Sequence, residues 1–296
     1  MTMTQIIDRT AGARALDPIA ARLAKVTSKV PVAIRDALHG VWLGHPLHPV
    51  LAQVPLGSWL SATVVDVVAL ATADEERRAG VERSAQTLVA TGLAAVPLTA
   101  AAGSADWSKL HEEQQRVGLV HATANVVAST LFTASLVQRR RGRQGRGRLL
   151  GLLGLAAASA SAAVGGHLAY RWAAGPNHAE AVPHVTPPDW EELGRLGEFD
   201  QRTPIRRMIG DTPVVVVRRG STVNVLAATC SHLAGPLDEG TLVTDGDDDC
   251  IVCPWHGSTF VLDDGSVRHG PATAPQPTFD VQVDDGVVRA RVTAAA

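Results

Sequence analysis

Four long apolar runs dominate the first part of the chain, at residues 50–73, 85–105, 117–137 and 149–174. Each run has about 20 residues, the length that a helix needs to cross about 30 Å of hydrocarbon at about 1.5 Å per residue. Charged linkers at 74–84, 106–116 and 138–148 separate the runs. The pattern predicts an all-α, four-helix transmembrane bundle. The alternative is a soluble bundle with unusually apolar helices.

Residues 5–38 show a different pattern, in which apolar positions recur at roughly helical spacing among basic ones. The apolar positions are Ile6, Ile7, Leu16, Ile19, Leu23, Val26, Ile34 and Leu38. Such spacing predicts amphipathic helix, lying on a membrane surface or on the bundle. A plain solvated helix is the alternative.

The pattern changes again after residue 175. Prolines at 183, 187 and 188 predict a semi-extended linker over 176–189. Short strand-like segments punctuated by Gly and Asp turns then predict an all-β domain. They cover residues 204–208, 212–218, 222–228, 241–243, 250–252, 259–262, 266–269, 277–283 and 287–292. The predicted organisation is an amphipathic segment at 1–37, a membrane domain at 38–175, a linker at 176–189 and a β domain at 190–296.

Charge is distributed unevenly and suggests an orientation. Residues 1–175 carry 18 Lys and Arg against 11 Asp and Glu, whereas residues 176–296 carry 9 against 18. Arginines concentrate in the linkers 74–84 and 138–148, which lie on one side of a four-span topology, and positive loops stay cytoplasmic. The rule therefore places the C-terminal domain outside the cytoplasm. Counting every basic residue of the N-terminal segment reduces the bias to a tie.

Two Cys–His pairs in the β domain carry the candidate chemistry. Cys230 and His232 are spaced C-x-H, and Cys253 and His256 are spaced C-x-x-H. Two thiolates on one iron and two imidazoles on the other are the ligands of one kind of [2Fe–2S] cluster, with a higher potential than an all-Cys cluster. A zinc site or a chance set of buried side chains is the alternative. The third cysteine, Cys250, is predicted to be a small buried core residue.

The segments around these pairs read C-S-H-L-A-G-P-L-D-E-G and C-P-W-H-G-S-T-F. They resemble the Rieske iron–sulfur family over roughly the last hundred residues. The resemblance implies stacked antiparallel sheets with the cluster at one tip, held by the two Cys–His pairs. Respiratory members carry a disulfide between the cluster loops, but the matching positions here are Ala234 or Gly235 and Trp255. The sequence therefore resembles the ferredoxin-like branch, which lacks this disulfide.

The same resemblance implies three residues that tune the cluster. Ser258 matches a hydroxyl that donates to a cluster sulfur, and Phe260 stands where the high-potential branch has a second hydroxyl. Trp255 replaces a disulfide cysteine. Because one donor is kept and one is lost, we predict an intermediate-to-low potential within the family's range of roughly −150 to +300 mV.

A second resemblance concerns histidines near the ends of the apolar runs, in the segments G-H-P-L-H-P, G-L-V-H-A-T-A-N and G-G-H-L-A-Y-R. These segments resemble a bacterial four-helix membrane domain of unknown function, over about residues 38–175. Because the helices alternate in direction, the histidines fall on one side of the membrane. They are His45, His48, His121, which shares a helix face with Asn125, and His167. The alternatives for these histidines are interhelical hydrogen bonding, a quinone site and a haem b site. Asp66, in the first apolar run, either pairs across helices or relays protons.

These features together predict a membrane-anchored protein that passes single electrons between a quinone, haem or reductase and a partner protein. The bilayer and an unidentified redox partner are the expected partners, and nucleic acid is not. Only 40 residues follow His256, too few for the catalytic domain of a Rieske oxygenase, so we expect a carrier or an oxidoreductase subunit rather than a complete enzyme. Two other functions remain: the ferredoxin component of an oxygenase system with the helices as anchor only, and a redox sensor.

Overall fold

The computed structural model of the chain describes residues 3–293, apart from the side chains of Met3 and Ile6. The predicted apolar position Ile6 therefore lies outside the described side chains. The chain divides into two compact units. One holds the residues up to Val30 together with Leu47–Ala174, and the other holds Pro31–Pro46 together with the C-terminal part of the chain from Gly175.

Within the described residues, eight α-helices precede the first strand. They are α1 (Met3–Ala11), α2 (Asp17–Thr27), α3 (Val32–His39), α4 (Leu47–Ala71), α5 (Glu75–Trp107), α6 (Glu112–Arg140), α7 (Gln144–Tyr170) and α8 (Val182–Val185). The four long helices α4 to α7 confirm the predicted apolar helices and are long and apolar enough to cross a membrane. Their outward faces are apolar too, as at Leu60, Val64 and Val67, each more than half exposed. A helix that is apolar on all sides is typical of a membrane span.

The first N-terminal helix packs on the bundle. Ile7 and Ala11 of α1 join a buried apolar cluster with residues of α6 and α7. The Asp8 carboxylate accepts hydrogen bonds from Arg171 and lies 2.9 Å from the His167 ring. The pKa of Asp8 is lowered, chiefly by the hydrogen bond from Arg171. The amphipathic pattern allowed α1 to lie on a membrane surface, on the bundle or in solvent. In the structure, α1 lies on the bundle.

A buried ion pair joins α4 and α6. Both guanidinium Nη atoms of Arg139 donate to the Asp66 carboxylate, with Nη1 2.7 Å from Oδ1. Arg148 of α7 lies 3.6 Å from the same carboxylate and also pairs with Glu82 of α5. Asp66 therefore pairs across helices, the first of the two roles that its place in an apolar run suggested, and charges from all four long helices meet there.

An aromatic pair fills the centre of the bundle. Trp59 of α4 stacks on Phe132 of α6, with ring centroids 4.1 Å apart. Gly92 of α5 leaves room for the indole, because a Cβ at residue 92 would lie 2.7 Å from Trp59 Cδ1. Interiors packed this closely do not absorb an added methyl group without displacing a neighbour.

Replacing Gly92 with alanine should therefore lower the free energy of unfolding by about 1–3 kcal/mol, because the stacked indole must move. Gly57→Ala is the matched control, since a Cβ at residue 57 has no neighbour within 4 Å. That control should gain up to about 1 kcal/mol from helix propensity. Chemical unfolding in detergent, followed by circular dichroism, checks both. Equal stability of the two variants would contradict the packing described here.

Ten strands form three antiparallel sheets in the second unit. The strands are β1 (Glu191–Arg195), β2 (Ile205–Ile209), β3 (Thr212–Arg219), β4 (Thr222–Ala227), β5 (Thr241–Asp245), β6 (Asp248–Val252), β7 (Thr259–Val261), β8 (Val267–His269), β9 (Phe279–Asp284) and β10 (Val287–Val292). The sheets have the orders β1-β10-β9, β2-β3-β4 and β5-β6-β7-β8. The predicted all-β domain is confirmed, and β1 is the strand that its polar sequence did not predict.

Two apolar clusters lie in this unit. One gathers side chains from β1 to β4 with β9 and β10. The other includes Leu226, Ile251 and Phe260 and also contains the buried Cys230 and Cys253. The second cluster thus packs beneath the loops that carry the Cys–His pairs, and it fixes their bases.

The proline-rich segment before β1 differs from the semi-extended linker that its composition predicted. One helical turn, α8, begins next to Pro183. Proline is tolerated there because the first turn of a helix leaves its N–H groups unbonded. The segment also packs on the β domain, since His178 N donates to Ser231 O at 2.9 Å and the Thr186 and Thr212 hydroxyls are 2.9 Å apart.

Pro31–Pro46 also belong to this second unit, which the sequence-based boundaries at 37 and 38 did not anticipate. Helix α3 ends at Gly40, whose φ is +86°. The buried His39 and the partly buried Val41 then pack against Gly270, where a Cβ would lie 3.1 Å from His39 Cδ2. The packing joins residues more than 200 positions apart, and local periodicity carries no information about such a contact.

Candidate metal centre

The first Cys–His pair lies in a tight loop between β4 and β5. Cys230 N donates to Gly235 O, and Ala234 N donates back to Cys230 O, both at 2.9 Å. Ala234 has a φ of +58°, a left-handed conformation that an alanine rarely adopts. The two hydrogen bonds close a tight turn over residues 230–235. This turn holds Cys230 and His232 in fixed positions.

The second pair lies in a loop of the same design between β6 and β7. Cys253 N donates to Ser258 O at 2.8 Å, and Gly257 N donates to Cys253 O at 3.1 Å. Gly257 takes the left-handed position, with φ of +81°. In both loops the cysteine is the first residue of a hydrogen-bonded turn, and the histidine follows within three residues.

The two sulfurs lie together at the base of the loops. Cys230 and Cys253 are buried, at 1% and 3% exposure, and their thiols are within hydrogen-bonding reach. This hydrogen bond from Cys230 lowers the pKa of Cys253, and the backbone N–H groups of Trp255 and His256 add to the effect. Thiolate is the form that binds iron, so the N–H groups aimed at the sulfur suit a metal ligand.

The two imidazoles form a second pair. The rings of His232 and His256 have centroids 5.0 Å apart and stand nearly perpendicular, at 80°. Both residues are partly exposed, and the neighbouring Trp255 is half exposed, with its ring 6.3 Å from that of His256. The sulfurs are thus buried, whereas the imidazoles reach solvent.

These four donors fit a two-iron group better than a single ion. Within residues 3–293, no three His, Cys, Asp or Glu side chains are grouped as the ligands of one metal ion. A [2Fe–2S] cluster does not require such a group, because two thiolates bind one of its irons and two imidazoles bind the other. The residues present match that division, with one pair of thiols and one pair of rings.

The predicted tuning residues surround the second loop. Ser258 is fully buried, and its Oγ accepts a hydrogen bond from Ala272 N at 3.0 Å, which leaves the hydroxyl hydrogen free to donate elsewhere. Phe260 is buried in the apolar cluster below. A Cβ at Gly235 would lie 3.2 Å from the Trp255 ring, so these two positions face each other across the loops. All three cysteines are free.

Acidic residues near the cluster loops pair with arginines of the same domain. Arg202 and Arg219 hold the pKa of Asp249 at about 2. Asp238 pairs with Arg206 at 3.2 Å, and Asp248 pairs with Arg268. Most of the negative charge of the acidic segments 238–239 and 245–249 is therefore paired within the domain.

Two of the predicted membrane histidines meet inside the bundle. The rings of His48 and His121 have centroids 6.2 Å apart. His48 Nδ1 lies 3.0 Å from Thr99 O, and His121 Nδ1 lies 2.8 Å from Ser161 O. Asn125 approaches the other ring nitrogen of His121 at 3.1 Å. These contacts link all four long helices, as expected for histidines that serve in interhelical hydrogen bonding.

The structure does not bring the remaining histidines into this group. His167 contacts Asp8 and the indole N–H of Trp172. His45 belongs to the other unit. The haem or quinone site stays a prediction from the sequence.

Comparison with known proteins assigns families to both parts of the chain. Residues 189–280 match the Rieske [2Fe-2S] domain, and residues 44–177 match a predicted membrane protein family, DUF2231. The anthranilate 1,2-dioxygenase ferredoxin subunit of Burkholderia cepacia is 31% identical over 111 residues, which are 38% of this chain and 99% of that protein. Ferredoxin CarAc of Metapseudomonas resinovorans is 38% identical over 28% of this chain and 77% of its own length.

A third relative is a subunit of a cytochrome complex. The cytochrome b6-f complex iron-sulfur subunit of Chlorobaculum tepidum is 34% identical over 26% of this chain, although the match covers only 40% of that protein. The paired Cys–His loops, the antiparallel sheets and these matches agree. The chain belongs to the Rieske [2Fe–2S] family, with its Rieske domain joined to a predicted membrane protein domain of the DUF2231 family.

Proposed function

We propose that this protein is a membrane-anchored carrier of single electrons. Cys230 and Cys253 would bind one iron of the cluster, and His232 and His256 would bind the other. The observation that carries the proposal is the pairing of two buried thiols and two solvent-reaching imidazoles on matched loops. The bound cluster would supply one-electron reduction and oxidation.

The surrounding residues support an exit for the electron at the imidazole edge. The buried sulfurs lie on the core side, and the imidazole edges and the half-exposed Trp255 lie on the solvent side. A partner protein would therefore meet the His232–His256 edge, with the indole as an apolar contact. Aromatic side chains of this kind are enriched at protein interfaces.

The four long helices would anchor the protein in a bilayer. Arg140, Arg141 and Arg143, in or next to the linker between α6 and α7, take no part in the buried ion-pair network. At the other end of the bundle, Arg116 pairs with Asp17 and Arg171 pairs with Asp8. The arginines of the α6–α7 linker support a cytoplasmic location for their end of the bundle, whereas counting the basic residues of α1 and α2 as well removes the bias. The Rieske domain follows from the other end and would lie outside the cytoplasm.

A second candidate function is the ferredoxin component of an oxygenase system, with the helices as anchor only. Its support is the match over nearly the whole of an anthranilate dioxygenase ferredoxin subunit. This candidate predicts a cytoplasmic Rieske domain. Orientation therefore discriminates the two candidates. Proteinase should digest the Rieske domain in spheroplasts under the first proposal and only in inverted vesicles under the second.

Reductive titration of the purified full-length protein tests the carrier function. Anaerobic addition of reductant should consume one electron per chain, because a single [2Fe–2S] cluster accepts one. The midpoint potential should be intermediate to low within the family's range of roughly −150 to +300 mV, since Ser258 supplies one hydroxyl and Phe260 supplies none. Uptake of no electron, or of two, would contradict the proposal.

A further inference from the structure

Asp36 connects the segment before the first long helix to the Rieske fold. Its carboxylate lies 2.7 Å from His269 Nδ1 and accepts a hydrogen bond from Gly270 N at 3.0 Å. Asp36 is on α3, so one helical residue holds both the last residue of β8 and the residue that follows it. Both groups belong to the same compact unit.

His269 is held from its other side as well. Its Nε2 lies 2.9 Å from the Asp245 carboxylate of β5, which also pairs with Arg268. The His269 ring therefore lies between two carboxylates, with one ring nitrogen near each. Asp36, His269 and Asp245 thus tie α3, β8 and β5 together, with His39 packed beside Gly270.

The loop fixed by Asp36 leads directly to the candidate metal centre. Two residues after Gly270, Ala272 N donates to Ser258 Oγ at 3.0 Å. Ser258 O in turn accepts from Cys253 N at 2.8 Å. The orientation of the Ser258 hydroxyl therefore depends on the position of Ala272, and that position depends on the anchoring of residues 269 and 270.

We propose that Asp36 is a positioning residue for the cluster: through His269 and Gly270 it holds the 269–272 loop, and through that loop it fixes the Ser258 hydroxyl. The inference rests on the proposed electron-transfer function. It means that the segment Pro31–Pro46 helps to set the midpoint potential of the cluster. A hydroxyl that donates to a cluster sulfur stabilises the reduced form, so a loosened loop should lower the midpoint potential. Removing a negative charge without any loosening should raise it instead. The sign of the shift separates positioning from simple electrostatics.

The experiment compares Asp36→Ala with Asp280→Ala in the full-length protein. Asp280 pairs with Arg291 on the β9–β10 hairpin, so the control removes the same charge without touching the 269–272 loop. Asp36→Ala should lower the midpoint potential and increase hydrogen exchange in residues 31–46 and 269–272. Asp280→Ala should leave exchange in those segments unchanged. Asp36→Asn, which keeps an oxygen for Gly270 N, should give a smaller fall in potential than Asp36→Ala.

A second variant acts on the same contact from the other side. A Cβ at residue 270 would lie 3.2 Å from Val41 Cγ2 and 3.1 Å from His39 Cδ2, so Gly270→Ala should loosen the contact and lower the potential. An unchanged or raised potential in Asp36→Ala would overturn the inference. If the wild-type protein itself binds no Rieske cluster, the proposed function fails. A wild-type cluster whose potential does not fall in Asp36→Ala refutes the positioning role alone.

Discussion

Replacing His232 with alanine should abolish the Rieske EPR signal and remove most of the bound iron. The imidazole pair would supply both protein ligands of one iron, so loss of one ring leaves that iron a single protein ligand. The fold should persist, because His232 is partly exposed and lies outside both apolar clusters of the β domain. Iron and sulfide analysis of the purified protein, together with EPR after dithionite reduction, measures the effect.

Two matched controls separate loss of a ligand from general damage. His184→Ala removes an exposed histidine of the same unit, which approaches the exposed Glu180 at 3.6 Å. Cys250→Ala removes the buried cysteine of β6 that we assign to the core. Both controls should keep two irons per chain and the wild-type signal. A full Rieske signal in His232→Ala would refute the ligand assignment.

Removal of the Arg139 guanidinium should have the largest effect on stability. Asp66 is 7% exposed, and Arg139→Ala would leave its carboxylate in the bundle interior with only the 3.6 Å approach of Arg148. Loss of one partner of a buried ion pair costs about 3–5 kcal/mol, because the remaining charge stays desolvated. We expect Arg139→Ala to lower the free energy of unfolding by that amount, measured by chemical unfolding in detergent.

The double variant Asp66→Ala/Arg139→Ala tests the cause. Because it removes the stranded charge as well, it should be more stable than Arg139→Ala alone. Arg78→Ala is the control for an exposed pair, since Arg78 approaches Glu75 at 3.6 Å near the start of α5 and should contribute less than about 1 kcal/mol. If Arg139→Ala costs no more than Arg78→Ala, the pair does not stabilise the bundle.

The sequence predicted the features that local patterns encode. Apolar runs of about 20 residues identified α4 to α7, and alternation with Gly and Asp turns identified β2 to β10. The Cys–His spacings identified the two cluster loops, because the ligands lie within three residues of each other in each loop. The family resemblance matched the two cysteines of the absent disulfide to residue 234 or 235 and to residue 255. In the structure, Gly235 and Trp255 face each other across the loops.

Features set by distant contacts were not predictable in this way. Strand β1 reads Glu-Glu-Leu-Gly-Arg, and its pairing comes from β10, almost 100 residues later. The docking of Asp36 on His269 spans 233 positions. The proline-rich segment carries an extended-chain composition, yet it packs on the β domain through His178 and Thr186. In each case tertiary contacts decide a conformation that the local sequence leaves open.

The contacts of the membrane histidines were also not fully predictable from the sequence. Their helix positions placed them near one end of the bundle, but only side-chain contacts separate His48 and His121, which meet, from His167, which joins Asp8. Sequence spacing alone did predict that His121 and Asn125 share a face, since residues four apart on a helix are neighbours.

Pulsed EPR of the reduced full-length protein, with histidine labelled by ¹⁵N, tests the central claim most directly. Two coupled histidine nitrogens should appear for the wild-type cluster, because His232 and His256 would bind the same iron. Loss of the coupled signal in both His232→Ala and His256→Ala, with its retention in His184→Ala, would identify the two rings. A reduced cluster with no coupled histidine nitrogen would contradict the account.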